Sequence, residues 1–168
     1  MKENLKKNHR CCFTGHRPHK LKMREKDARR LLDEAIDNAI AAGYRTFMTG
    51  MAEGVDITAA EIIIEKKNKN KELRLICALP HPGFGNGRTE KEKHRFNDII
   101  KKSDYVITIS EEYFRGCYQK RNKYMVDNCS LVIAIYNGSV GGTKNTVAYA
   151  RKNGLEIVNV LDRQYSLI

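Results

Sequence analysis

Residues 131–146, LVIAIYNGSVGGTKNT, run from six apolar residues through a glycine-rich turn into polar residues that begin a helical spacing. A strand with one solvated face alternates apolar and polar residues, and LVIAIY does not, so the run predicts a strand over 131–136 buried on both sides. Burial on both sides in turn predicts a parallel sheet with helices over each face. YVITI over 105–109 reads the same way. Working outward, further strands are expected over 9–14 (HRCCFT), 45–49 (RTFMT), 73–79 (LRLICAL) and 157–161 (IVNVL). Helical spacing fills the gaps. Residues 27–42 place Leu31, Leu32, Ala35, Ile36, Ala39 and Ile40 on one face, with Gly43 as the stop. Residues 55 to about 67 carry Ala59, Ala60, Ile63 and Ile64, and Thr89 with Glu92 has capping-box spacing for a helix containing Phe96, Ile99 and Ile100. Two more helices are expected over 119–128 and 143–152.

Six strands alternating with five helical segments predict an α/β fold, a three-layer αβα arrangement around a mainly parallel sheet of about six strands. The 168 residues suit a single domain over 1–168, with a basic tail over 1–8. No apolar run approaches the roughly 20 residues of a spanning helix, and MKENLKKNHR lacks the apolar segment of a signal peptide. A soluble cytoplasmic protein without a membrane partner is expected. The five cysteines, Cys11, Cys12, Cys77, Cys117 and Cys129, are odd in number and irregularly spaced, which predicts buried thiols rather than a disulfide framework. The net charge of +11 is unevenly placed: residues 1–30 hold eleven Lys or Arg against three acids. Such a region suits an anionic partner, or simply a solvated surface.

In a parallel sheet, ligands bind beyond the carboxyl ends of the strands, so chemistry is to be sought at those ends. The first is Thr14-Gly15-His16-Arg17-Pro18, where Gly15 admits a backbone close to a ligand and Arg17 can hold a phosphate or carboxylate. A tight turn with two exposed bases is the competing reading. His16 and His19 stand three apart without a third ligand at zinc spacing, so no metal site is expected. The second end carries Gly50, Glu53, Gly54 and Asp56 at a helix start, where the acids can accept ribose hydroxyls, act as a base, or merely cap the helix. Arg121 and Asn122 precede the buried strand on a helix whose other face bears Met125 and Cys129, and a solvated helix face would also explain them. The fourth end, Gly141-Gly142-Thr143 with Thr146 one turn on, predicts a phosphate or carboxylate cradle of backbone N–H groups and two hydroxyls. It matches neither the GxxxxGK[ST] P-loop nor the GxGxxG dinucleotide fingerprint, and no cofactor is expected.

Taken together, CCFTGHRP at the start, TGMAEGVDITAAE after the second strand and RNKYMVDNCSLVIAIYNGSVGGTKNTVAYA near the end resemble the YpsA-like branch of the SLOG superfamily. That superfamily also holds the DNA-processing protein DprA/Smf and the Lonely Guy phosphoribohydrolases. The resemblance spans residues 9 to about 160. It implies a Rossmann-like fold whose glycine-rich loops form a pocket for a nucleotide or nucleotide-derived ligand. By position it carries over Gly15, His16 and Arg17 as the first loop, Gly50, Glu53, Gly54 and Asp56 as the second, Arg121 and Asn122 as an arginine-asparagine pair, and Gly141, Gly142, Thr143 and Thr146 as the phosphate loop. One departure bears on activity: Lonely Guy enzymes carry a PGGxGTxxE motif with a hydrolytic glutamate, and here no acid follows Gly141-Gly142 in GGTKNTVA.

Three functions follow as expectations. The first is binding of a nucleotide-derived small molecule, as a sensor or processing domain. The second is N-glycosidic cleavage of a nucleotide, with Glu53 or Asp56 as the catalytic carboxylate. The third, ranked last, is DprA-like nucleic-acid binding, because no DNA-binding helix motif or zinc finger accompanies the basic residues. A homodimer is compatible with a domain of this kind.

Overall fold

The computed structural model describes residues 6–162. The basic tail expected over 1–8 lies mostly outside the described residues. Six strands follow in chain order: β1 Arg10–Gly15, β2 Thr46–Thr49, β3 Arg74–Leu79, β4 Tyr105–Thr108, β5 Leu131–Ile135 and β6 Glu156–Asn159. Between them run a short helical turn, α1 Pro18–Leu21, and five long helices, α2 Glu25–Ala41, α3 Val55–Lys67, α4 Glu90–Lys102, α5 Cys117–Asp127 and α6 Gly142–Lys152. All strand pairs are parallel, in the order β4-β3-β2-β1-β5-β6. The expected α/β fold is therefore present, with boundaries that move by one or two residues in most elements.

The two faces of the sheet build two cores. Adjacent Cys11 and Cys12 point to opposite faces, as a strand requires. Cys11 joins Phe13, Phe47, Leu32, Ile36 and Ile63 beneath α2 and α3, and Cys12 joins Met48, Met125, Val126, Cys129 and Val147 beneath α5 and α6. All five cysteines are free thiols and buried. Helix α3 packs between α2 and α4 and buries Val55, Ile57, Ala59, Ala60, Ile62 and Ile63, which explains why its apolar residues do not confine themselves to one stripe. Each such fully buried Ile contributes about 1.5–3 kcal/mol. The Thr89 capping box forms at the start of α4: Glu92 N–H donates to Thr89 Oγ1 at 3.2 Å and Thr89 N–H to Glu92 Oε2 at 3.1 Å.

Two expectations need correction. YVITI is not buried on both sides: β4 is the edge strand, with Tyr105 64% and Val106 44% exposed. Only LVIAI of β5, lying between β1 and β6, is buried throughout. The final strand stops at Asn159 rather than running to 161 because the Asn159 side chain takes over the ladder, accepting from Tyr136 N–H at 3.2 Å and donating to Tyr136 C=O at 2.8 Å.

The start of β4 is held by Asp104, whose carboxylate accepts from Leu75 N–H at 2.8 Å and pairs with Lys67. Burial alone would raise its pKa, but Lys67 and the Leu75 amide outweigh this and hold it below the usual range. A depressed carboxylate contributes stability above its unfolded pKa of about 3.9, and that contribution disappears as pH falls through the lower folded value. Asp104→Asn is therefore expected to cost about 1–2 kcal/mol at pH 7 and much less near pH 2, read by urea melts at both pH values.

Candidate functional site

Chain order reverses between β1 and β5, and in open α/β sheets the crevice beyond the carboxyl ends at such a reversal is the general place for a ligand. Gly15 pairs with Ile135 across this boundary, and His16 N–H donates to Ile135 C=O at 3.2 Å. A side chain at position 15 would place its Cβ 2.3 Å from Val55 Cγ2. The absence of one lets the start of α3 sit against the end of β1. His16 is buried against the Tyr136 ring, 5.4 Å between centroids, and its Nε2 has no hydrogen-bond partner. Burial, reinforced by Lys20, lowers its pKa, which favours the neutral imidazole. Arg17 is exposed.

The loop between β2 and α3 folds on itself. Thr49 Oγ1 accepts from Met51 N–H at 3.2 Å and donates to Asp56 C=O at 3.0 Å, while Asp56 Oδ2 accepts from Ala52 N–H at 3.1 Å. Met51 takes the left-handed region with φ of 60°, a conformation this hydrogen-bonded loop imposes. Arg121, expected on a solvated helix face or in a ligand site, is only 4% exposed. Its Nη1 donates to Gly50 C=O and, at 3.3 Å, to Ala78 C=O, and its Nε donates to Asn122 Oδ1 at 2.8 Å. A Cβ on residue 50 would lie 2.9 Å from the guanidinium, so Gly50 makes room for the cation. Burial lowers the Arg121 pKa while Asp56 opposes this; in turn burial raises Asp56, and Arg121 and the Ala52 amide hold it down. Asp56 is thus fixed inside the loop beside a cation.

Glu53 points elsewhere. It pairs with Arg88 at 2.7 Å, and burial raises its pKa against the pull of that arginine. Sequence reasoning missed Arg88, inside a loop of turn formers over 80–88. Its Nη2 donates to Met51 C=O at 2.5 Å and its guanidinium lies over Phe84 and Phe96, 5.0 and 4.9 Å from the ring centroids. An arginine at the end of a glycine-rich loop that itself ends a strand was the available signal.

His16, Glu53, Gly54, Val55 and Thr58 line a cavity of about 280 Å3 together with apolar Leu21, Met23 and Ala28 and charged Glu25, Glu92 and Arg95. The glycine loop after β5 is tied to the α1 turn: Lys20 Nζ donates to Val140 C=O at 3.0 Å and Asn137 Nδ2 to Lys20 C=O at 3.0 Å. Helix α6 then starts at Gly142 with no side-chain cap, and the space where a Cβ of residue 142 would stand is open. Thr143 and Thr146 are both buried, and Thr146 Oγ1 donates back to Gly142 C=O at 2.9 Å. Asn122 and Thr146 line a separate groove of about 270 Å3 between α5 and α6. The expected residues therefore divide into a crevice group (Gly15, His16, Arg17, Glu53, Gly54, Gly141, Gly142, Thr143), a supporting pair (Asp56, Arg121) seated at Gly50, and a second groove. Among the described residues, no cluster of three His, Cys, Asp or Glu could hold a metal ion, and no helix is long and apolar enough to cross a membrane.

Comparison with known proteins places this architecture. The chain is 30% identical over 124 residues to the uncharacterized SPbeta prophage-derived protein YoqJ of Bacillus subtilis, covering 67% of this chain and 72% of that one. A UPF0398 protein of Halalkalibacterium halodurans is 24% identical over 139 residues, 78% of this chain and 74% of the relative. A UPF0398 protein of Staphylococcus epidermidis is 26% identical over 109 residues, and there the match spans about half of the relative, 54%. Among solved structures, DNA processing protein A from Helicobacter pylori superposes with a TM-score of 0.61 at 15% identity, covering 99% of this chain and 75% of that one. The same protein from Streptococcus pneumoniae gives 0.58 at 19% identity, covering 92% and 50%. At such identities these superpositions establish the shared Rossmann-like fold. The YpsA profile, the YspA SLOG family, matches residues 11–160, which include all three motifs and every strand but the first residue of β1. The chain belongs to the YpsA family of SLOG proteins.

Proposed function

We propose that the protein binds a nucleotide-derived small molecule in the crevice between β1 and β5, its phosphate against the first turn of α6 and its sugar and base in the cavity beside His16. One observation carries this reading: His16 Nε2 is buried without a partner next to that cavity. An unmet buried polar atom costs about 1–3 kcal/mol, which a ligand hydroxyl or ring nitrogen would offset. The uncapped start of α6 and the open space over Gly142 suit an anion. The apolar wall of Leu21, Met23 and Ala28 suits a base, and exposed Arg17, directly after His16, supplies a cation for a phosphate.

Thermal unfolding against nucleoside mono- and diphosphates, ADP-ribose and NAD tests this. A ligand at about 100 times its Kd adds roughly 2.7 kcal/mol, or about 5–10 °C for a domain of this size. Gly142→Asp places a carboxylate where the phosphate would sit. It is expected to leave the unliganded Tm unchanged or slightly raised, since an acid at a helix N-terminus is favourable, while abolishing the shift. A panel without any shift, or a shift undiminished in Gly142→Asp, overturns the proposal.

Glu53 supports a second reading, cleavage of an N-glycosidic bond. Its carboxyl lines the same cavity and is raised by burial, as an acid or base in such a reaction needs. Release of free base from a nucleoside monophosphate, lost in Glu53→Gln, would establish it. A nucleic-acid partner has less support. The DNA processing protein A of Helicobacter pylori, which shares the fold, binds single-stranded DNA. For this chain only the eleven basic residues among the first thirty point the same way. Salt-dependent affinity for an oligonucleotide would be its mark.

A further inference from the structure

The edge strand β4 has no neighbour on its outer side among the described residues. Proteins usually guard such an edge with lysine, proline or a bulge, because its unpaired backbone groups invite another strand. Here the strand reads YVIT, without charge, proline or glycine. Six large apolar side chains are exposed among the described residues, and five of them, Tyr105, Val106, Tyr113, Phe114 and Tyr118, belong to β4 and the segment that follows it. The exposed apolar surface of the molecule is thus gathered along one margin, which marks an interaction surface.

The flanking charges identify what covers it. Exposed Lys101 and Lys102 precede the strand and exposed Glu111 and Glu112 follow it, so the segment is positive at one end and negative at the other. Lys102 also reaches Asp98 at 3.0 Å on its own helix, and Arg115 follows the acidic pair within the aromatic segment. Such a segment is self-complementary only when run antiparallel against itself. We propose that β4 pairs antiparallel with β4 of a second copy of this chain across a two-fold axis, joining two six-stranded sheets into one. In the register that sets Tyr105 opposite Thr108 of the second copy and Val106 opposite Ile107, the end of each strand preceded by Lys101 and Lys102 meets the end of the other followed by Glu111 and Glu112. This is an isologous contact, in which one patch serves both partners. Four residues of strand fall short of the roughly 1,600 Å2 that a standard interface buries, and the aromatic segment 113–118 supplies the further area. Because the two strands run in opposite directions, the carboxyl ends of the two sheets face opposite ways. Both crevices stay open, and dimerisation is independent of the ligand reading above.

Sedimentation of the full chain over a range of concentrations is expected to show a species of twice 19.3 kDa. Lys101→Glu with Lys102→Glu sets like charges opposite each other and is expected to weaken the dimer about tenfold or more. Adding Glu111→Lys and Glu112→Lys to that variant restores the complement in reverse and should recover the dimer to within about threefold of the original. Val106→Lys, a charge on the edge itself, should leave a folded monomer, its fold checked by thermal melting. A monomer at every concentration overturns the proposal, as does an open-ended series of oligomers, or a four-residue swap that fails to regain the dimer while remaining folded.

Discussion

Arg121→Ala is expected to lose about 3–5 kcal/mol of stability, the cost of removing one member of a buried charged cluster. In a domain of this size that corresponds to roughly 10 °C in Tm or more. The loss has two parts. The carbonyls of Gly50 and Ala78 forfeit their donor at the ends of β2 and β3, and buried Asp56 loses the cation that opposes the upward pull of burial on its pKa. Arg121→Lys keeps the charge but cannot span two carbonyls and Asn122 at once, so it should recover only a minor share. Urea denaturation of the three proteins measures both quantities. A loss below about 1 kcal/mol for the alanine variant would show that solvent, rather than the two carbonyls and Asp56, satisfies the guanidinium.

Gly15→Ala is the second large effect, expected at about 3 kcal/mol through overpacking. The added Cβ would meet Val55 Cγ2 at 2.3 Å and Val55 Cβ at 2.7 Å. Rotation of the valine relieves the first contact but not the second, because Cβ is fixed by the backbone. Val55→Gly in the same chain removes Cβ and both γ carbons, so the double variant should be more stable than the sum of the single losses, with a coupling of at least about 1 kcal/mol. Simple additivity would mean that the glycine is needed for something other than the approach of α3.

The strands and long helices were legible because apolar spacing reports burial directly, and all six strands are where that spacing put them to within one or two residues. β4 shows the limit of the method. An apolar run states that its side chains avoid water, and YVITI could not say whether helices of its own fold or some other surface would cover them. The crevice was partly legible for a related reason. Glycines at 15 and 50 announce close backbone approaches, yet the body that approaches lies far along the chain: Val55 for Gly15, and Arg121, some 71 residues on, for Gly50. Arg121 sits among polar neighbours on α5, so its spacing looks solvated, and only the three-dimensional position of two distant carbonyls explains its burial. His16 reads as a loop base until the Tyr136 ring is seen lying against it. Arg88 was hidden by turn formers, whose backbone preferences say nothing of what a neighbouring side chain will reach.

The reversal of strand order between β1 and β5 also bears on how the chain is made. Strands β1 to β4 are laid down beside one another in the order of synthesis, but β1 meets β5 only when Ile135 has emerged, about 120 residues after Gly15. At ribosomal rates of about 5–20 residues per second, the Cys11–Gly15 edge waits roughly 6–24 seconds for its permanent neighbour. During that interval β1, a central strand of the finished sheet, keeps an unpaired apolar edge that only the arrival of residues 131–135 closes.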